Sequence, residues 1–152
     1  MKIAIIGAGN LGLSIAKGLI SSKITTSLFL TKRNYRDINK WNKLKNVTIT
    51  DQNKDAIQNS NIIIFTVQPN QFEQILRDNK KVLNPKHLLI SAVTGFKISR
   101  IESIIGSNHY IIRSMPNIAI SVGKSMTCIS SNLYGVKKIN ITTEIFNAVG
   151  RC

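Results

Sequence analysis

Residues 1–12 read Met-Lys-Ile-Ala-Ile-Ile-Gly-Ala-Gly-Asn-Leu-Gly, an apolar strand that leads directly into the pattern Gly7-x-Gly9-x-x-Gly12. Apolar residues at helical spacing follow over 13–20, so the glycines stand between a predicted strand and a predicted helix. In a dinucleotide site the first glycine forms the tight turn, the second lets the backbone approach the pyrophosphate, and the third lets the helix pack on the strand. The stretch therefore predicts a dinucleotide site with the phosphates over the helix N-terminus.

The residues after the second predicted strand indicate which dinucleotide is bound. That strand, near Ser27–Leu30, is followed by Thr31-Lys32-Arg33-Asn34, with no carboxylate where an NAD site would hold the ribose 2′-hydroxyl. A hydroxyl, an ammonium and a guanidinium attract a 2′-phosphate instead. We therefore expect NADP(H) to be preferred over NAD(H). The alternative is that Lys32 and Arg33 are two more surface cations of a basic protein.

The composition is that of an ordered globular chain with a strong positive charge. A length of 152 residues predicts one domain, and 43% hydrophobic residues are enough for a buried core. The formal net charge of +14 on its own suggests a nucleic-acid or anionic membrane partner. The cations, however, are spread along the chain without a dense run or interleaved aromatic residues, which favours a solvated surface over a nucleic-acid face.

The cysteines and histidines do not predict a metal site. Cys128 and Cys152 have neither a close partner in sequence nor metal-ligand spacing, so we expect no disulfide framework, no zinc and a reducing, cytoplasmic location. The first apolar stretch is too short for a secretory signal, and nothing later is long enough for a membrane span. His87 and His109 each precede a predicted strand with no further ligand at suitable spacing, so structural or surface roles are favoured.

Strand and helix patterns alternate along the whole chain, which predicts an α/β fold with a doubly wound, mostly parallel sheet of Rossmann type and helices on both faces. In such a sheet the ligand lies at the carboxyl ends of the strands. The predicted strands lie near 2–6, 27–30, 47–50, 61–67, 87–92, 110–113 and 125–130, and the predicted helices near 13–20, 35–44, 53–59, 71–82, 98–105 and 136–148.

Several local sequences resemble the pyrroline-5-carboxylate reductase family, the NAD(P)H-dependent enzymes that make proline from its cyclic imine. They are Val67-Gln68-Pro69-Asn70, Ser91-Ala92-Val93-Thr94-Gly95 and, most specifically, Arg113-Ser114-Met115-Pro116-Asn117, followed by Gly123 and Met126-Thr127. The resemblance covers the whole chain.

The resemblance implies a set of binding residues. In the family the glycine loop and the segment at Val67–Pro69 hold the cofactor, a residue like Asn53 lies by its adenosine half, and the loop at Ala92–Gly95 approaches the nicotinamide. Arg113, Met115 and Asn117 are the substrate-side candidates, although Arg113 is as readily explained by a structural ion pair that anchors the turn after it. With the loop at 31–34, the expected cofactor residues are Ile6, Gly7, Ala8, Gly9, Asn10, Leu11, Gly12, Thr31, Lys32, Arg33, Asn34, Asn53, Val67, Gln68, Pro69, Ala92 and Thr94.

The chain departs from the family pattern at three places. Gln68 stands where the family usually has a lysine, and Ile118-Ala119 replaces Thr-Pro after Asn117. Family members also continue beyond Gly150 into a helical domain that forms the dimer and closes over the substrate. Residues 1–152 are therefore expected to form the dinucleotide-binding domain without that second domain, to bind NADPH, and to turn over little pyrroline-5-carboxylate. The alternatives are another NADP-dependent reductase, F420-dependent or acting on imines, and a non-catalytic nucleotide-binding or nucleic-acid-binding remnant.

Overall fold

Nine strands and five α-helices are present in the computed structural model, which describes residues 1–152. The strands are β1 (Lys2–Ile6), β2 (Ser27–Thr31), β3 (Val47–Thr50), β4 (Ile62–Phe65), β5 (Leu88–Ser91), β6 (Tyr110–Met115), β7 (Ser125–Met126), β8 (Cys128–Ser131) and β9 (Gly150–Arg151). The helices are α1 (Asn10–Ser21), α2 (Asn53–Gln58), α3 (Pro69–Asn79), α4 (Ile98–Ile105) and α5 (Ile139–Asn147), with 3₁₀ turns at 36–43, 118–122 and 135–138.

Seven strands form the main sheet, in the order β3-β2-β1-β4-β5-β6-β8. All neighbouring pairs are parallel except β6 and β8, which run antiparallel at one edge. The chain builds outward from β1 in one direction through β2 and β3, and then continues on the other side from β4. The strand order therefore reverses between β1 and β4, which confirms the predicted doubly wound fold.

The central strands are buried on both faces because their residues alternate between two cores. Ile3 and Ile5 belong to the core that α1 and α5 cover, whereas Ala4 and Ile6 belong to the core that α2, α3 and α4 cover. Each core contains a continuous set of buried hydrophobic side chains, 18 residues in the first and 15 in the second. The apolar runs at Ile3–Ile6 of β1 and Ile62–Phe65 of β4 are explained by this burial on both faces.

The segment 125–130 is extended as predicted except at Thr127, but its prediction as one strand is wrong, because the structure divides it between two sheets. Ser125 and Met126 pair with Gly150 and Arg151 in a separate two-stranded sheet, and Cys128 begins the antiparallel edge strand β8. Thr127 marks the change of sheet, and its buried hydroxyl lies 3.1 Å from the Ser125 hydroxyl. The helix expected over 35–44 is a 3₁₀ turn, and that over 136–148 becomes α-helical only from Ile139.

Two buried histidines lie where β5 and β6 begin, at the end of the sheet opposite the carboxyl ends of the strands. The backbone N–H of Asn84 donates to Nδ1 of His87 at 3.3 Å, so that nitrogen is unprotonated in this arrangement. The ring nitrogens of His109 lie 3.3 Å from the carbonyls of Gly106 and Leu83. Burial, and next the proximity of His109, lower the pKa of His87 below its ordinary value. Both histidines thus have structural surroundings, in line with the sequence interpretation.

Candidate functional site: a cleft at the strand-order reversal

A cleft of about 630 Å³ opens at the carboxyl ends of the central strands, where the strand order reverses. This is the position at which open α/β sheets bind their ligands. The cleft is also large enough for a small-molecule or cofactor site. Its lining residues are Gly7, Ala8, Gly9, Thr31, Lys32, Arg33, Asn34, Asp51, Asn53, Thr66, Val67, Gln68, Asn70, Gln71, Gln74 and Ile75.

Hydrogen bonds from the neighbouring strands fix the glycine loop. The amides of Gly7 and Ala8 both donate to the Thr31 carbonyl, at 3.2 and 2.7 Å. From the other side, the Thr66 hydroxyl donates to the Gly7 carbonyl at 2.7 Å. The loop is therefore held between the ends of β2 and β4, and its geometry is set before any ligand arrives.

The three glycines of the motif have different local reasons to be glycine. Gly7 has a φ of +99°, and a Cβ there would lie 2.6 Å from Cγ1 of Val67. At Gly12 a Cβ would lie 2.7 Å from the Gly7 carbonyl oxygen and 2.8 Å from Oγ1 of Thr66, so α1 packs directly against the loop. A Cβ on Gly9, by contrast, would meet nothing within 4 Å. Gly7 and Gly12 are thus required by the fold, and Gly9 faces open space in the cleft.

The first turn of α1 offers hydrogen-bond donors to an anion. At this end of α1, the Leu13 amide donates the first α-helical hydrogen bond, to the Gly9 carbonyl at 2.8 Å. The amides of Asn10, Leu11 and Gly12 come earlier and have no protein acceptor. Because these amides also lie at the positive end of the helix dipole, the loop fits a dinucleotide pyrophosphate.

The carboxyl end of β2 carries two cations with different surroundings. The Lys32 ammonium donates to the Asp37 carboxylate, and this hydrogen bond is the main reason that the pKa of Asp37 lies below its ordinary value. Arg33 is exposed and forms no ion pair. Of the two predicted phosphate ligands, Arg33 is therefore the one whose charge is free.

Asp51 is a cleft residue that the sequence analysis missed. It follows β3, and the Lys32 amide donates to the carbonyl of the preceding Thr50 at 3.2 Å. The dinucleotide-binding motif specifies a carboxylate only at the end of β2, whereas Asp51 lies at the same edge of the sheet but follows the adjacent strand. Its position could be inferred once β3 was placed beside β2. The other unpredicted lining residues are Thr66, Asn70, Gln71, Gln74 and Ile75.

The structure brings ten of the seventeen predicted cofactor residues into the cleft lining and places seven outside it. Ile6 is fully buried in the core, so its side chain is inaccessible there. Asn10, Leu11 and Gly12 belong to the first turn of α1, and Pro69 is the first residue of α3. Ala92 and Thr94 lie in the loop after β5.

The substrate-side candidates lie at the end of β6, outside the cleft lining. Arg113 forms no ion pair, and its buried Nε has no hydrogen-bond partner. The structural ion pair considered for Arg113 is therefore absent. Oδ1 of Asn117 accepts a hydrogen bond from the Ala119 amide at 3.2 Å and caps the 3₁₀ turn that follows, whereas Met115 is exposed.

The structure contains neither a cluster of metal-ligating side chains nor a helix that could span a membrane. No group of three or more His, Cys, Asp or Glu side chains is placed to hold a metal ion. None of the helices combines the length and the apolar character needed to cross a membrane.

Comparison with known proteins places the chain in a family. Residues 2–95, which include every residue of the cleft lining, match the family model described as NADP oxidoreductase, coenzyme F420-dependent. The chain belongs to this family. The residues that match the family model extend from β1 to the loop after β5.

Similarity to pyrroline-5-carboxylate reductases extends further than that family model. Pyrroline-5-carboxylate reductase 2 of Dictyostelium discoideum is 35% identical to this family member, over 99% of the chain and 56% of the relative. The solved pyrroline-5-carboxylate reductase of Coxiella burnetii superposes with a TM-score of 0.92 at 27% identity, over 99% of this chain and 57% of that one. The Plasmodium falciparum pyrroline carboxylate reductase with NADP bound superposes with a TM-score of 0.84 at 26% identity, over 99% of this chain and 56% of that one. The chain spans about half the length of these relatives.

Proposed function

We propose that residues 1–152 form the dinucleotide-binding domain of an NADPH-dependent reductase that converts 1-pyrroline-5-carboxylate to L-proline. The observation that carries the proposal is the cleft at the strand-order reversal, which combines the glycine loop with the cationic end of β2. Similarity to pyrroline-5-carboxylate reductases over 99% of the chain supports the choice of substrate.

The chain's own residues would bind and orient the dinucleotide. The amides of Asn10, Leu11 and Gly12 would hold the pyrophosphate, with Gly9 leaving room for its approach. Arg33 would pair with the 2′-phosphate, and Asn53 would lie by the adenosine half. The loop at Ala92 and Thr94 would border the nicotinamide, which supplies a hydride to the imine carbon when the cofactor is bound.

On the substrate side, Arg113 would bind the carboxylate of the imine. Its guanidinium has no ion-pair partner within the chain, and its Nε is buried without an acceptor, which is a costly state unless a ligand completes it. Met115 and Asn117, on the same segment, would border the imine ring. We expect Arg113→Lys to weaken imine binding less than Arg113→Met, because lysine retains the charge but not the planar fork.

A calorimetric titration with NADPH and then NADH, followed by addition of pyrroline-5-carboxylate, tests the proposal. We expect NADPH to bind more tightly than NADH, and the imine to cause slow loss of the reduced nicotinamide absorbance. Equal rates with an imine that lacks the carboxylate would favour a general imine reductase. Absence of nucleotide binding would overturn the proposal.

The family description raises F420-dependent reduction as a second candidate reaction. Its model, however, covers only residues 2–95, whereas the similarity to pyrroline-5-carboxylate reductases includes the segment at Arg113–Asn117. A cytoplasmic location is also part of the proposal. The two cysteines, Cys128 and Cys152, are free and exposed, as is usual in a reducing compartment.

A further inference from the structure

Asp51 places an unpaired carboxylate in the wall of the cleft. Thr31 of β2 pairs with Thr50 of β3, so Asp51, the next residue, comes alongside Lys32 at the carboxyl edge of the sheet. The side chain of Asp51 is exposed, and its Oδ1 accepts a hydrogen bond from Nε2 of the adjacent Gln52 at 2.9 Å. It forms no ion pair with any lysine or arginine. Its negative charge is therefore stabilised by solvent and by the Gln52 amide, and by no cation in contact with it.

The positive charge at this edge is smaller than the sequence Lys32-Arg33 indicates. The Lys32 ammonium is already bound to Asp37, so a ligand phosphate would compete with that carboxylate for it. Arg33 contributes the one cation of this pair that has no acidic partner. A ribose 2′-phosphate at the end of β2 would meet Arg33 on one side and the Asp51 carboxylate on the adjacent strand.

We propose that Asp51 determines how strongly the cleft distinguishes a ribose 2′-phosphate from a free 2′-hydroxyl, and that it keeps this preference low enough for NADH to bind as well as NADPH. The inference rests on the proposed dinucleotide-binding function. A carboxylate repels the phosphate, whose charge near neutral pH is about −1.5 to −2, and it accepts a hydrogen bond from a hydroxyl. The residue thus disfavours one cofactor and favours the other.

The expected effect is modest because the site is open to water. Charges on an exposed surface interact through a high effective dielectric constant and are screened beyond about 8–10 Å at ordinary ionic strength. Removal of the Asp51 charge should therefore raise the affinity for NADPH about fivefold, while the affinity for NADH stays equal or falls about twofold. The ratio of the two affinities should rise roughly five- to tenfold, and the rise should shrink as salt is added.

Titration of three forms of the chain with NADPH and NADH, at low and high salt, tests this inference. The forms are the unchanged chain, Asp51→Asn and the control Asp55→Asn, which removes an exposed carboxylate of α2 outside the cleft lining. We expect the affinity ratio to change in Asp51→Asn only, with the same thermal unfolding in all three. A ratio that stays within twofold in Asp51→Asn, or changes equally in Asp55→Asn, overturns the role of Asp51 while leaving dinucleotide binding intact. Failure of the unchanged chain to bind either nucleotide overturns both proposals.

Discussion

Replacement of Gly9 by alanine separates a glycine needed by a ligand from a glycine needed by the fold. Gly9 has an ordinary negative φ of −84°, and a Cβ there meets nothing within 4 Å. We therefore expect the free energy of unfolding of Gly9→Ala to change by less than about 0.5 kcal/mol. The new methyl group would occupy the space that the pyrophosphate needs, and NADPH affinity should fall at least about tenfold, or about 1.4 kcal/mol.

Gly12→Ala is the matched comparison, because the added atom is the same and its surroundings are not. Its Cβ would lie 2.7 Å from the Gly7 carbonyl oxygen and 3.0 Å from Cγ2 of Ile5, neither of which moves without shifting β1 or the loop. Overpacking of this kind costs about 1–3 kcal/mol. This variant should lose stability even without nucleotide, unlike Gly9→Ala.

Urea unfolding with and without NADPH measures both quantities in one assay. At a concentration 100 times the dissociation constant, NADPH stabilises the unchanged chain by about 2.7 kcal/mol, and a tenfold loss of affinity reduces this to about 1.4 kcal/mol. Gly9→Ala should show the smaller stabilisation with an unaltered midpoint in the absence of nucleotide. If Gly9→Ala bound NADPH like the unchanged chain, the pyrophosphate would not pass over Gly9 and the assignment of the loop would be refuted.

Three further changes test parts of the fold outside the cleft lining. Because the pKa of His87 is lowered in the folded chain, its contribution to stability is present above about pH 6.5 and is lost as the pH falls through the folded pKa. In His87→Gln, the free energy of unfolding should therefore depend less on pH between about pH 7 and pH 5. An unchanged slope would exclude His87 as the cause. Asn132→Ala removes the buried side-chain oxygen that accepts hydrogen bonds from the Ile111 and Gly135 amides, at 3.2 and 2.7 Å. The free energy of unfolding measured with urea should fall by about 3 kcal/mol. The control Asn140→Ala changes an exposed residue and should alter it little. Phe72→Ala removes a fully buried ring whose centroid lies 5.1 Å from that of Phe65 and 4.8 Å from that of Phe96. The free energy of unfolding should fall by about 3–5 kcal/mol. A loss below about 1 kcal/mol would mean that this aromatic cluster is not tightly packed.

The parallel part of the sheet was predictable from the sequence because its signals are local. Ile62–Phe65 is a β-branched and aromatic run buried on both faces, and each such run is followed by a helix with an apolar stripe. The glycine motif added the position of the cleft. Element type and order therefore followed from patterns that each lie within about a dozen residues.

The parts that were not predictable depend on contacts between distant residues. The segment at 125–130 looks like one strand in the sequence, but its division at Thr127 is decided by β6 and by β9, which pairs with Ser125 from 25 residues away along the chain. Asp51 lies in the cleft only because β3 pairs with β2, and no sequence motif predicts which strand pairs with β2. The ion pair between Lys32 and Asp37 likewise forms through the loop after β2 and alters the charge of the predicted phosphate site.

The packing of α1 against residues near position 149 has a consequence for how the chain folds. A Cβ on Gly18 would collide with the Val149 side chain and the Ala148 carbonyl, and Phe146 belongs to the same core as Ile15 of α1. The helix that carries the glycine loop is thus covered by residues about 130 positions later. Contacts of such long sequence separation form late and slow the folding of a domain. During synthesis on the ribosome, we expect the nascent chain to acquire its nucleotide site only after residues 145–149 have emerged, although the glycine motif itself is made about 130 residues earlier.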